Sequence, residues 1–233
     1  MNRILILVTL FFYSQLCIAE NNPKPKHNGE WISLFDGKSL KGWHYFNNSK
    51  EITNWKIEHG ALVCLGAKGP SGSGDLISDQ CFKNFELKWE WKVDQGSNSG
   101  VFYHIVEDPK YKRAIETAPE YQIIDDVSYP AKLEDSQKTG SDYGMYVPSE
   151  NKIINPLGEW NRSKTIFNKE KVEHWLNGIR IVKFKAWTKD WCQLKLEGKW
   201  KEYSDYGMAH EGKIGLQDHG NKAYFKDIQI REL

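Results

Sequence analysis

Phe85-Glu86-Leu87-Lys88-Trp89-Glu90-Trp91-Lys92-Val93 alternates apolar and charged residues without a break. A period of two is the signature of a strand with one face in a core and the other in water. Similar runs follow on both sides. Ala61 to Leu65, Lys213 to Gln217 and Ala223 to Leu233 read as strands, and so does Trp191 to Leu196. Val172 to Leu176 and Ile179 to Phe184 flank Asn177-Gly178, a two-residue turn whose members tolerate positive φ, and together predict a hairpin. Phe225 is out of phase with Ile228 and Ile230, which predicts a bulge near Asp227. Ser33 to Leu40 is a turn-rich opening, and one short helix is expected within Lys199 to Met208. Many short strands separated by turns predict an all-β fold, a sandwich of two antiparallel sheets. Ala67 to Gly74 reads as a flexible loop, and the long polar stretch from Val127 to Tyr146 has a length often associated with function.

The chain begins with Arg3, a mostly apolar run from Ile4 to Leu16, and small residues around Ala19. That pattern predicts a secretory signal peptide over residues 1–19, too short and wrongly flanked for a membrane anchor. Lipidation at Cys17 ranks second, because Gln15-Leu16 lacks the small residue usual before that cut. Residues 20–30 read as a flexible lead-in and residues 31–233 as the working domain, periplasmic or secreted. The chain has 32 Lys and Arg against 31 Asp and Glu, so loss of Arg3 leaves the mature protein neutral. A neutral chain without a basic cluster in its sequence argues against nucleic acid and against electrostatic membrane binding. Ten Trp and eleven Tyr suit a sandwich core and also suit stacking on sugar rings. Cys64, Cys81 and Cys192 remain after cleavage, an odd set with no zinc spacing. Cys64 and Cys81 could form one bridge or stay as buried thiols.

Four segments carry groups suited to sugar chemistry. In Pro119-Glu120-Tyr121-Gln122-Ile123-Ile124-Asp125-Asp126, strand phase puts Glu120 and Gln122 on one face and Tyr121, Ile123 and Asp125 on the other. A carboxyl group held at Glu120 could move a proton. Ser97 to His104 puts Asn98, Phe102 and His104 on one face, with Gly100 permitting close approach. Gly158-Glu159-Trp160-Asn161 offers a stacking plane and an amide that both donates and accepts. Gly215 to Gly220 places Gln217 and His219 on one face, and a neutral imidazole can serve as acid or base. His174 carries the same ambiguity. Each segment also has a purely structural reading. Nucleophile-elbow, zinc-protease, P-loop and dinucleotide motifs are absent from the sequence. No cofactor is required by the sequence. A divalent metal held by Glu120, Asp125 and a His is chemically possible, though no spacing demands it.

In order along the chain, Leu34-Phe35-Asp36-Gly37, Asn98-Ser99-Gly100-Val101, Glu120-Tyr121-Gln122-Ile123, Gly158-Glu159-Trp160-Asn161, His174-Trp175-Leu176-Asn177-Gly178 and Gly215-Leu216-Gln217-Asp218-His219-Gly220 resemble the 3-keto-disaccharide hydrolase family. The resemblance runs from about Trp31 to Leu233. It implies a concanavalin-like jelly roll whose first and last strands lie close together. It also implies extracytoplasmic action on glycosides already oxidised to a ketone at C3, with a separate sugar oxidoreductase making that ketone. Proton transfer at C2 would then drive elimination, hydration or net hydrolysis. On this reading Glu120 or His219 moves the proton. Asn98, His104, Gln122, Asp125, Trp160, Asn161, His174 and Gln217 are the candidate substrate contacts. His104 stands where many members have Arg, which replaces a permanent cation with one that titrates. A lectin-like binding protein is the alternative function, and a conventional glycosidase ranks third.

Overall fold

The computed structural model describes residues 29–66 and 74–233. The expected signal peptide, the lead-in up to residue 28 and the loop 67–73 lie outside the described residues. Two antiparallel sheets form the sandwich. The larger runs in the order β11 (Ile179–Lys185), β10 (Lys171–Leu176), β9 (Asn161–Asn168), β6 (Phe85–Val93), β13 (Lys222–Glu232), β4 (Ala61–Leu65) and β3 (Trp55–Glu58). The smaller runs β2 (Trp43–Tyr45), β5 (Leu76–Phe82), β12 (Gly212–Leu216), β7 (Asn98–Ile105) and β8 (Glu120–Ile124). A short β1 (Ile32–Ser33) pairs with β13, so the first and last strands are neighbours, as a jelly roll requires.

The alternation of β6 is realised as read. Phe85, Leu87, Trp89, Trp91 and Val93 are buried and face Val101, Tyr103, Tyr121, Ile123 and Leu216 of the smaller sheet in one core. The hairpin between β10 and β11 turns at Asn177 (φ 46°) and Gly178 (φ 84°). Asp227 adopts φ 51°, and the pairing of β13 with β6 slips between Lys226 and Gln229, which is the expected bulge.

Two local expectations fail. Trp191 to Leu196 is not a strand but part of α1 (Lys189–Glu197), and residues 199–208 form turns instead of the expected helix. The Thr188 hydroxyl accepts from the Trp191 amide and caps the helix start. Trp191 and Lys195, four residues apart, then share its buried side, a pairing available only at helical pitch. The Cys64–Cys81 bridge is also not made, because Cys64 is a free thiol buried in the core.

A polar group sits deep in the sandwich. The Tyr103 hydroxyl donates to Asp142 at 3.0 Å, and burial pushes the fully enclosed Asp142 carboxyl up to about 7. Its folded-state pKa lies above the unfolded value of 3.8, so the folded state holds this proton more tightly. Stability from this group therefore falls as pH rises from about 4 to about 7 and is flat beyond. Asp142→Asn should gain stability relative to the native chain across that window, as read by urea unfolding at several pH values. An unchanged difference would refute the assignment.

Candidate active site

Glu120 and Gln122 project from β8 on the side away from the core, whereas Tyr121 and Ile123 pack into it. Register extends this outer row. Gly100 pairs with Gln122, Phe102 with Glu120 and Leu216 with both Val101 and Leu76. Gln217 therefore falls beside Gly100, to whose carbonyl its amide donates at 2.9 Å. Asp75 falls on its other flank, and its carboxylate accepts from the Asp218 amide at 2.9 Å. Asp75 just before β5, Gln217 just after β12, Gly100 of β7 and Gln122 of β8 thus form a row across the sheet.

Above this row lies a cavity of about 200 Å³, also lined by Asn98, Arg113, Tyr143, Lys199, Trp200, Tyr203 and His219. That is smaller than the roughly 300–1,000 Å³ typical of sites for drug-sized ligands, and suits one sugar ring. Gly100 makes the room. A methyl group built there would lie 2.0 Å from the Glu120 Oε1 atom. Glu120 is 1% exposed, and the oxygens Glu120 Oε1, Asn98 Oδ1 and Gln217 Oε1 are buried without a hydrogen-bond partner among the described residues. Buried polar atoms are normally satisfied, so these orphans mark places for ligand donors.

The opposite wall is aromatic and cationic. Trp200 stacks on Tyr206 with ring centres 4.0 Å apart and its indole nitrogen donates to the Tyr143 carbonyl. Lys199 Nζ donates to the Tyr143 hydroxyl at 2.6 Å and lies 3.9 Å from the centre of that ring. Arg113 donates to the Tyr203 hydroxyl at 2.9 Å. Burial, reinforced by the charge of Asp75, holds the Glu120 carboxyl well above its usual range. Burial also raises Asp75. The same desolvation lowers His219 below 6.5. Glu120 therefore favours its protonated form and His219 its neutral form. Environments that push two groups apart in this way separate an acid from a base.

Five candidate residues meet here: Asn98, Glu120, Gln122, Gln217 and His219. Five others do not. His104 adopts φ 56°, which turns it off the face of Asn98 and Phe102. It packs against Phe167 at 4.3 Å and donates to the Lys83 carbonyl, and burial lowers it to about 4. His174 is enclosed in the core, donating to the Gly140 carbonyl. The Asp125 carboxylate accepts from the amides of Gly96, Val127 and Ser128 and so closes a turn. The metal set of Glu120, Asp125 and a His is accordingly not assembled, and no cluster of three or more His, Cys, Asp or Glu is placed to hold an ion among the described residues. Asn161 Oδ1 accepts from the Asn155 amide and the Asn177 side chain, a loop-holding role. Trp160 lies under Lys226 at 4.4 Å, away from the cavity. Asp75, Arg113, Tyr143, Lys199, Trp200 and Tyr203 were not legible as site residues, because only strand register and loop packing bring them to the row.

The model of the 3-keto-alpha-glucoside-1,2-lyase-like domain matches residues 30–231. The chain belongs to this family. It is 35% identical over 228 residues to a 3-keto-disaccharide hydrolase of Bacteroides thetaiotaomicron, a match covering 87% of this chain and 78% of the relative. A crystal structure from Parabacteroides distasonis, provisionally named a glycosyl hydrolase, superposes with TM-score 0.81 at 42% identity, covering 89% of this chain and 95% of the other. A Bacillus subtilis protein with a galectin-like fold has TM-score 0.51 at 14% identity, over 87% of this chain and 94% of that one, a likeness of fold alone. Membership and the curated relative make this member of the family an enzyme of hydrolase type.

Gly100→Ala tests the geometry of the row. The added methyl should displace Glu120, cost about 1–3 kcal/mol by overpacking and lower turnover at least tenfold. Unfolding and rate measurements on one preparation check both effects.

Proposed function

We propose that this enzyme cleaves glycosides whose glycone carries a ketone at C3, by proton transfer at C2. The observation that carries this reading is one cavity that joins a buried carboxyl, Glu120, with an imidazole, His219, whose burial favours its neutral form as it favours the protonated form of Glu120. A C3 ketone acidifies the C2 proton. Neutral His219 takes that proton, and the electron pair becomes an enolate whose oxygen is stabilised by the Arg113 and Lys199 cations. As the enolate collapses, the bond from C1 to the leaving oxygen breaks and Glu120 gives its proton to that oxygen. The product is an unsaturated keto sugar. Water then adds at C1, with Glu120 taking its proton and His219 returning the first proton to C2, which completes a net hydrolysis. Asn98, Gln122 and Gln217 offer amides to the ring hydroxyls. Tyr203 provides an apolar plane for a sugar face, and the buried Trp200 backs that wall.

The pair Asp75 and Glu120 also invites a two-carboxylate glycosidase reading. That chemistry needs one carboxyl to stay ionised as base or nucleophile. Burial raises both here, which favours the His219 base. The proposal includes export of the protein through the sequence's signal peptide and a separate oxidoreductase that makes the ketone.

With a 3-keto-glucoside as substrate, released aglycone should follow a bell-shaped pH profile. Activity falls at low pH as His219 gains a proton below 6.5, and at high pH as Glu120 loses its own. Glu120→Gln should lower turnover about a hundredfold or more and remove the alkaline limb, and His219→Asn should do the same to the acid limb. Unchanged rates in both variants would sink the mechanism, and binding without release in the native protein would favour a lectin.

A further inference from the structure

Strand alternation sends the long cationic side chains of the larger sheet to its outer face. β6 presents Lys88 and Lys92, β9 presents Arg162 and Lys164, and β13 presents Lys226 and Arg231. Glu58 on this face pairs with Lys56, and three further carboxylates are each shared by two cations. Glu86 meets Lys164 and Arg231, Glu90 meets Arg162 and Lys226, and Glu173 meets Arg180 and Lys183. The chain as a whole carries a formal charge of only +1, so this face holds an excess of positive charge that other surfaces balance.

Aromatic rings are set among these cations. Trp31 lies 3.9 Å from Lys88 and 4.9 Å from Arg231. Trp160 lies 4.4 Å from Lys226 and 5.2 Å from Lys92, and Trp175 lies 4.5 Å from Lys164. At one end, Trp160, Arg162, Glu90 and Asn155 line a shallow groove of about 580 Å³. The Arg162 side chain is 81% exposed there; its Nε donates to Glu90 at 2.7 Å, which leaves the terminal nitrogens of its planar fork for a carboxylate or sulfate.

We propose that this outer face binds an acidic polysaccharide, a chain of sugars bearing carboxylate or sulfate groups. The excess cations attract its charges. The retained carboxylates Glu86, Glu90 and Glu173 accept from its hydroxyls, a feature that a surface built for polyphosphate would not keep. The rings lie beside or beneath cations rather than projecting as apolar wedges, which disfavours a lipid surface. This binding is separate from the cavity and does not rest on the proposed reaction.

The probes are polygalacturonate and chondroitin sulfate, with dextran as the neutral control and duplex DNA as the rival polyanion. The full-length protein should bind one of the acidic glycans at low ionic strength and release it as salt shortens the reach of the charges. It should bind dextran at least tenfold more weakly. Lys88→Glu with Lys92→Glu should weaken acidic-glycan binding at least tenfold while leaving turnover unchanged, since neither residue lines the cavity and neither makes an ion pair among the described residues. If that variant does not fold, the Gln pair at the same positions should show a loss of at least threefold. No binding to either acidic glycan, equal binding by the variant, or tighter binding to DNA would each overturn the proposal.

Discussion

The Glu120 carboxyl group occupies the space that a side chain at position 100 would fill. That single steric relation ties the site to the sheet. β7 must lend a residue without a side chain, β8 must present its carboxyl at the neighbouring register, and β12 must bring Gln217 alongside. The rest of the sandwich makes this arrangement rigid. Val101, Tyr103, Tyr121 and Ile123, the residues between the site positions, are buried against the larger sheet. A one-residue slip in either strand would move site residues into the core and core residues into the site, so the apolar face fixes the polar one.

Burial carries a cost that the site turns to use. Glu120 and Asp75 lie deep enough that ionisation is penalised, and neither is neutralised by a direct ion pair among the described residues. Lys199 and Arg113 stand on the far wall, engaged with the hydroxyls of Tyr143 and Tyr203. They contribute positive potential without closing onto the carboxyls. The cavity therefore brings together a carboxyl that favours its proton, an imidazole that favours its neutral form and two cations.

Much of the scaffold was legible because it depends on local alternation. The nine-residue pattern of β6, the Asn177-Gly178 turn and the phase break at Asp227 all report backbone geometry through near neighbours. The failure at Trp191 has a local cause too. A short apolar run reads alike as strand or helix, and the Thr188 cap together with the burial of Lys195 decided for helix. The site was legible only in part. Asn98, Gln122 and Gln217 were found through strand phase, but His104 left its expected face through one positive φ, which no alternation pattern reveals.

The sequence by itself determined the sandwich, the family resemblance and the side of β8 from which Glu120 projects, because period-two alternation and ordered motifs are properties of neighbouring residues. Only the tertiary structure decided which polar residues share a cavity. Asp75, Arg113, Tyr143, Lys199 and Trp200 reach it from distant segments, and His174, Asp125 and Asn161 spend their polar groups elsewhere. Protonation followed from the same cause. Whether Glu120 holds its proton and His219 yields one depends on desolvation and nearby charge, which exist only once the chain has folded. The near-neutral total charge likewise concealed a basic face, since a sum over the chain records no positions.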